Sequence, residues 1–238
     1  MTEINCSKFL GIPAFTSTSE IDFMKGDPVF TPYVLTSAQR EYLKTRGIDP
    51  EKGIIVPRQV HGDVIWKVTP KNVSQAGIFE ADAVVTDTVG LAIGVRTADC
   101  LPALLYDPVR RVIAAVHAGW KSTKLDIARK TVEFLRSGYG VDPKNIRVAI
   151  GPCIRRESCA VGPEFREYFP RDTFLTPEGL HFDILSANMR QLTRSGVKRE
   201  NIFDSGSCSF TDAARFHSFR RDADKSGRMI SVIMMVGQ

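Results

Sequence analysis

A chain of 238 residues, 43% hydrophobic and 25% charged, is long enough to bury one sizeable core, and this composition excludes a disordered tract or a small stapled scaffold. Its five cysteines, Cys6, Cys100, Cys153, Cys159 and Cys208, are odd in number and scattered, so they point to reduced thiols in a cytoplasmic protein rather than to a secreted disulfide framework. The net charge of +5 comes from basic residues set mostly singly, which demands no nucleic-acid partner.

The N-terminal stretch has no basic segment followed by an apolar one, and no run approaches about eighteen apolar residues, so neither export nor a membrane span is predicted. Without repeats or a Pro/Gly/Ser-rich linker, residues 1–238 read as a single domain. Ser37 is placed to cap a helix through Arg40, Tyr42 and Leu43 that stops at Gly47, with Arg40 in its first turn. Gly53 to Val56 and Val64 to Val68 read as short strands flanking Pro57-Arg58-Gln59-Val60-His61-Gly62. Four further strands are predicted at Ala83 to Thr86, Leu91 to Val95, Leu101 to Tyr106 and Val112 to Val116. Two of these runs lead into reactive side chains, at Thr97-Ala98-Asp99-Cys100 and at His117-Ala118-Gly119-Trp120.

Thr123 with Asp126 has the form of a capping box before the apolar positions Leu125, Ala128, Val132 and Leu135, and Gly138 and Gly140 end that helix. A strand at Ile146 to Ile150 delivers Gly151-Pro152-Cys153, a helix at Phe182 to Arg194 turns Leu185, Met189 and Leu192 inward, and Met229 to Val236 is a closing strand. The strands cluster without a helix after each one, which favours a mixed α+β layered fold over a regular doubly wound sheet.

Only four histidines are present, His61, His117, His181 and His217. Neutral imidazole and thiolate are zinc ligands, and three protein ligands with one open position define a catalytic zinc site. The separations from His61 to Cys100 and from Cys100 to His117, 39 and 17 residues, carry no local signature. The same atoms also suit a Cys100 nucleophile with His117 as base and Asp99 or another carboxylate orienting the ring. A buried, inert Cys100 is the third reading. The pairs Arg110-Arg111, Arg155-Arg156 and Arg220-Arg221 offer guanidinium forks for an anionic substrate, or solvated faces and turns.

The segments RQVHGDVI, EADAVVTD, GVRTADCLPALLYDP, VIAAVHAGWKST, IGPCI and FRRD resemble, in order and spacing, the family described as polyphenol oxidase or laccase, as peptidoglycan editing factor and as purine nucleoside phosphorylase. The resemblance implies a zinc site of His61, Cys100 and His117. It also implies two mixed β-sheets flanked by helices in a layered α/β/β/α sandwich, similar to toxin-type cysteine hydrolases. Gln39-Arg40-Glu41-Tyr42-Leu43 matches a family box usually read Asn-Arg-x-x-Leu, which makes Arg40 a substrate-binding residue, with Gln59 and Arg220 beside it. Asp82 and Asp99 match recurrent acidic positions. Asp99 is carried with Cys100 as a catalytic candidate, and both acids have a plain role in holding the ligand loops. The sequence departs from the family pattern at Cys159-Ala160-Val161-Gly162, where an aromatic residue and Glu usually precede Val-Gly, and at His217, which stands in a Phe-Phe-Ser-Tyr-Arg-Arg box.

Of the activities the family has carried, multicopper oxidation needs more imidazoles than four histidines supply, although copper can replace zinc in a His₂Cys site. An open zinc position lowers the pKa of bound water to about 7, which suits attack on C6 of adenosine with release of ammonia. Phosphorolysis of adenosine or inosine needs phosphate held by arginine, for which Arg40 and Arg220 are the candidates. A zinc-dependent purine nucleoside phosphorylase and adenosine deaminase, taking nucleoside and phosphate, is therefore the leading expectation. Amide hydrolysis on a peptidoglycan precursor is its alternative, and a scaffold with purely structural zinc stands behind both.

Overall fold

Two adjacent runs, Leu101–Asp107 and Val112–Ala118, are buried at every position, as strands covered on both faces must be. They form the centre of the structure, a computed structural model that describes residues 3–23, 35–49 and 54–237. Among the described residues, one five-stranded sheet runs in the spatial order β1 (Glu3–Asn5), β2 (Ala14–Ser17), β13 (Met229–Met234), β6 (Ala92–Thr97), β3 (Ile54–Ile55). A six-stranded sheet runs β12 (Ile202–Asp204), β9 (Arg147–Ile150), β7 (Leu101–Asp107), β8 (Val112–Ala118), β5 (Ala83–Thr86), β4 (Ile65–Lys67). Both sheets are mixed: β3, β4 and β12 pair in parallel with their neighbours, and the remaining pairs are antiparallel. A separate hairpin joins β10 (Thr173–Thr176) to β11 (Gly179–Phe182).

The helices are α1 (Ser7–Leu10), α2 (Ser37–Lys44), α3 (Trp120–Lys124), α4 (Ile127–Tyr139), α5 (Phe165–Tyr168), α6 (Ile184–Arg194) and α7 (Phe219–Asp222). The alternation of side chains along each strand decides the layers. Leu104, Ile113 and Ala115 of the larger sheet meet Ile93, Val95 and Ile233 of the smaller one in a shared inner core. Their neighbours Ala103, Leu105, Ala114 and Val116 face outward onto Val132 and Leu135 of α4 and Ala187 and Leu192 of α6. On the opposite side, Phe15, Ile230 and Val232 are covered by Tyr42 and Leu43 of α2. The result is the expected α/β/β/α sandwich of two mixed sheets between helices.

Some boundaries differ from the sequence reading. The cap of α2 is Thr36, not Ser37: its hydroxyl accepts from the Gln39 N–H while the Gln39 side chain accepts from the Thr36 N–H. The helix expected from Thr123 is broken in two, because Asp126 takes a left-handed φ of 63° and makes no side-chain cap. Thr123 is instead buried and accepts a hydrogen bond from Asn188 Nδ2, and Leu125, at the break, is exposed. Phe182 ends β11, so α6 begins at Ile184 behind the Asp183 cap. Gly53, expected to open β3, lies outside the described residues.

Ile93 is wholly buried between the sheets. Ile93→Ala removes apolar area and leaves a cavity that two facing sheets cannot close, so urea unfolding should show a loss of about 2–5 kcal/mol.

Candidate metal centre

The register of the larger sheet brings the site together. Leu101 pairs with Ala118 and Pro102 with His117, so Cys100 precedes β7 where β8 is ending. Ala83 pairs with Val116 on the other side of β8, which sets Asp82 next to His117. The loop between β3 and β4 brings His61 over the same sheet end.

Asp82, wholly buried, ties these pieces. Its carboxylate accepts from the backbone N–H groups of Val60 at 3.3 Å, His61 at 3.0 Å and Gly62 at 2.6 Å. Its Oδ1 also lies 2.7 Å from His117 Nδ1, and its backbone carbonyl accepts from the His117 N–H at 2.7 Å. Three converging amides allow His61 to hold a left-handed φ of 60°, a strained choice for a residue with a Cβ. Gly119 completes the packing, since a Cβ there would stand 2.8 Å from His61 Cδ2 and 3.0 Å from Cys100 Sγ.

The ligand atoms of His61, Cys100 and His117 all lie within 4.8 Å of one another. The two imidazoles meet edge to face, with centroids 4.7 Å apart, and Cys100 Sγ is 3.8 Å from His61 Nε2. Zinc bonds of about 2.3 Å to sulfur and 2.0–2.1 Å to nitrogen, at a tetrahedral angle, put S and N about 3.6 Å apart, so the spacing fits such an ion. With Nδ1 of His117 engaged by Asp82, Nε2 is the nitrogen left for a metal. Burial pushes the Cys100 thiol up, but His117 and then His61 more than offset this and hold it well below the usual thiol range. Burial works against a charged His117, yet the Cys100 thiolate and Asp82 raise it. Asp82 is held low, its burial outweighed by His117 and by the amides of Gly62 and His61. The chemistry is that of a softened thiolate and two imidazoles, a donor set suited to zinc or copper.

The other predicted residues fall at different distances from this cluster. Asp99, adjacent to Cys100 and at φ 85°, accepts from Ser209 Oγ at 2.7 Å and from the Arg220 N–H at 2.6 Å. It faces these groups and not His117, whose orienting carboxylate is Asp82. Gln59 spends both ends of its amide on the Arg96 backbone at 2.8 Å each, which stitches the His61 loop to β6. Arg220 lines the cleft beside the cluster and donates to the Ala160 carbonyl at 2.7 Å. Arg40 donates to the Leu35 carbonyl from α2 and lines neither of the clefts described next. Of the other paired arginines, Arg155 forks onto Asp204 and Arg110 reaches the Gly140 carbonyl. His181 bonds Thr176 in the hairpin, and His217 lies beside Gly227, both outside the cluster.

Two clefts flank the cluster and share His61, Ala98, Cys100 and Phe219. The larger, about 630 Å³, carries Trp120, Phe165, Phe182, Lys121 and Arg220. The smaller, about 360 Å³, carries His117, Gln59, Arg96 and Arg228. Of these walls the sequence reading named Arg220 and Gln59; it missed the aromatic residues Phe165, Phe182 and Phe219 and the cations Lys121, Arg96 and Arg228, and only Trp120, beside His117, had a further local signal. The departing segment Cys159-Ala160-Val161-Gly162 forms one wall of the larger cleft, and that wall still bears a carboxylate, because Glu164 lies against Gly162.

Comparison with known proteins agrees with this geometry. A family model described as "Multi-copper polyphenol oxidoreductase laccase" matches residues 31–236. The chain is 41% identical over 181 residues to a "Purine nucleoside phosphorylase" of Deinococcus radiodurans, covering 74% of this chain and 67% of that protein. It is 34% identical to "Adenosine deaminase RL5" of an unknown prokaryotic organism, over 79% of this chain and 76% of the relative. The fold matches the crystal structure of the Bacillus licheniformis hypothetical protein YfiH with a TM-score of 0.85 and 25% identity, covering 98% and 96% of the two chains.

Asp82→Ala frees the His61 loop and the His117 ring together, so metal affinity, read by competition with a chromophoric chelator, should fall about 10–100-fold. Gly119→Ala, which changes no ligand, should also lower occupancy by metal analysis while near-ultraviolet circular dichroism stays native.

Proposed function

Because the chain belongs to the laccase-like polyphenol oxidoreductase family, with YfiH-type structures and purine-nucleoside enzymes among its relatives, we propose that it is a zinc-dependent enzyme acting on purine nucleosides. His61, Cys100 and His117 are the proposed ligands. Bound there with an open position, zinc supplies Lewis acidity and acidified water.

The observation that carries this reading is the seat of the cluster between two clefts of unlike chemistry. The larger offers Trp120, Phe165, Phe182 and Phe219, whose faces suit stacking on a purine. The smaller offers Arg96 and Arg228, and a guanidinium fork matches phosphate. A nucleoside with its base in the first and phosphate in the second places the ribose over the Cys100–Phe219 ridge. Phosphorolysis then forms a bond from a phosphate oxygen to C1′ as the C1′–N9 bond breaks and its electron pair passes to the purine. Lys121 and Arg220, on the aromatic side, are placed to offset the charge that develops on the base. Deamination uses the same base pocket without phosphate. Asp99 serves as a positioning residue, since it fixes Arg220 through its backbone N–H.

Multicopper oxidation is disfavoured because His181 and His217 lie apart from the cluster, and such chemistry needs further imidazoles near the first copper site. Amide hydrolysis is the second reading. It is favoured by the Cys100–His117 pair with Asp82 behind it, which has the form of a nucleophile, base and orienter.

The deciding experiment incubates metal-loaded protein with adenosine and with inosine, each with and without phosphate. Phosphate-dependent release of free base, or conversion of adenosine to inosine, lost in Cys100→Ala together with zinc, is expected. Full zinc occupancy with neither product would abandon the nucleoside and turn attention to cell-wall amides. Arg228→Ala should raise KM for phosphate about tenfold or more while sparing phosphate-independent deamination; an unchanged KM would remove Arg228 from the phosphate site.

A further inference from the structure

A third cleft, about 510 Å³, lies across the α3–α5 wall from the cluster. Trp120 and Phe165 face the metal side of that wall, and Thr123, Lys124 and Phe169 face the other. Five cations converge on this second side, Lys124, Arg129, Arg171, Arg190 and Arg194, against two carboxylates, Asp126 and Asp172. Those two are already engaged: Asp126 pairs with Arg129, which also meets Glu133, and Asp172 pairs with Arg190. Lys124 sits over the Tyr168 ring, 3.3 Å from its centroid, while Arg171 and Arg194 form no ion pair among the described residues.

The walls are built. Gln191 Nε2 donates to the Thr123 carbonyl at 2.7 Å and Asn188 Nδ2 to Thr123 Oγ1 at 3.0 Å, which locks α6 onto the junction of α3 and α4. Arg190 and Arg194 stand one turn apart on α6, an i, i+4 pair, and Gln191 and Ala187 line the cleft beside them. Gathering like charges in a concave site is unfavourable until an anion offsets them.

We propose that this cleft binds a small, multiply charged phosphate compound, of the size and charge of a diphosphate or triphosphate ester. Planar guanidinium groups contributed by α4, α6 and the chain after α5 match phosphate oxygens in bidentate fashion, and the volume falls in the range of small-molecule sites. The proposal does not depend on the nucleoside reading, because no residue of the metal cluster takes part.

The probe is inorganic tripolyphosphate, titrated calorimetrically into the full chain. One equivalent should bind, Cys100→Ala should bind it unchanged, and the double variant Arg171→Ala/Arg194→Ala should bind at least about tenfold more weakly. Both arginines are exposed, so the double variant should keep its melting temperature, and its adenosine turnover should match the parent. Equal affinity in the double variant, loss of binding in Cys100→Ala, or no binding at about 1 mM would overturn the proposal. A single-stranded RNA decamer binding more than tenfold tighter than tripolyphosphate would replace it with a nucleic-acid surface.

Discussion

A single buried carboxylate holds the site to the fold. Asp82 receives three consecutive amides from one loop and the imidazole of a neighbouring strand, and hydrogen bonds to a charged acceptor contribute roughly 1.5–3 kcal/mol each. A buried charge without partners would be intolerable, and with four it becomes a rigid joint. The left-handed turn at His61, the tautomer of His117 and the spacing of the three ligand atoms all follow from it. Asp99 does the corresponding work on the far side of β8, tying the segment before β7 to Ser209 and to α7. Two acids that precede the strands on either side of β8 thus fix the floor and one wall of the same cavity.

The arrangement follows from the sheet. Strands β5, β8 and β7 are consecutive neighbours, and antiparallel pairing puts the start of β5, the end of β8 and the start of β7 at one edge. Residues 17 and 35 positions apart in sequence, Cys100 with His117 and Asp82 with His117, thereby become neighbours. Side chains at that end of the strands stand on a buried, hydrogen-bonded scaffold, which suits a site that must hold its geometry.

Much of this was legible in the sequence, for identifiable reasons. The β-branched and alanine-rich runs at Ala83–Thr86 and Val112–Ala118 read as strands because they are covered on both faces, and two of the proposed ligands stood just after strand-like runs, Cys100 after Leu91 to Val95 and His117 after Val112 to Val116. The break at Asp126 was not legible, because Thr123 and Asp126 satisfy a capping pattern locally while Asn188, far along the chain, claims the threonine hydroxyl. The cap of α2 was misplaced by one residue because Ser and Thr are equally good acceptors and only the reciprocal Gln39 bond chooses between them. The basic cleft escaped notice for a related reason. Its arginines come singly from α4, α6 and the chain after α5, and the paired arginines that drew attention mostly bind backbone carbonyls or nearby acids.

Two of the three proposed ligands, Cys100 and His117, belong to the ends of central strands, and the third rides on a loop pinned by Asp82. Strand pairing and the Asp82 hydrogen bonds hold all three side chains in one place. A ligand set positioned in this way is preorganised, so an ion bound there would require little rearrangement of the fold. At such a preorganised set the choice between zinc and copper would rest on ligand type and metal supply rather than on a step of folding.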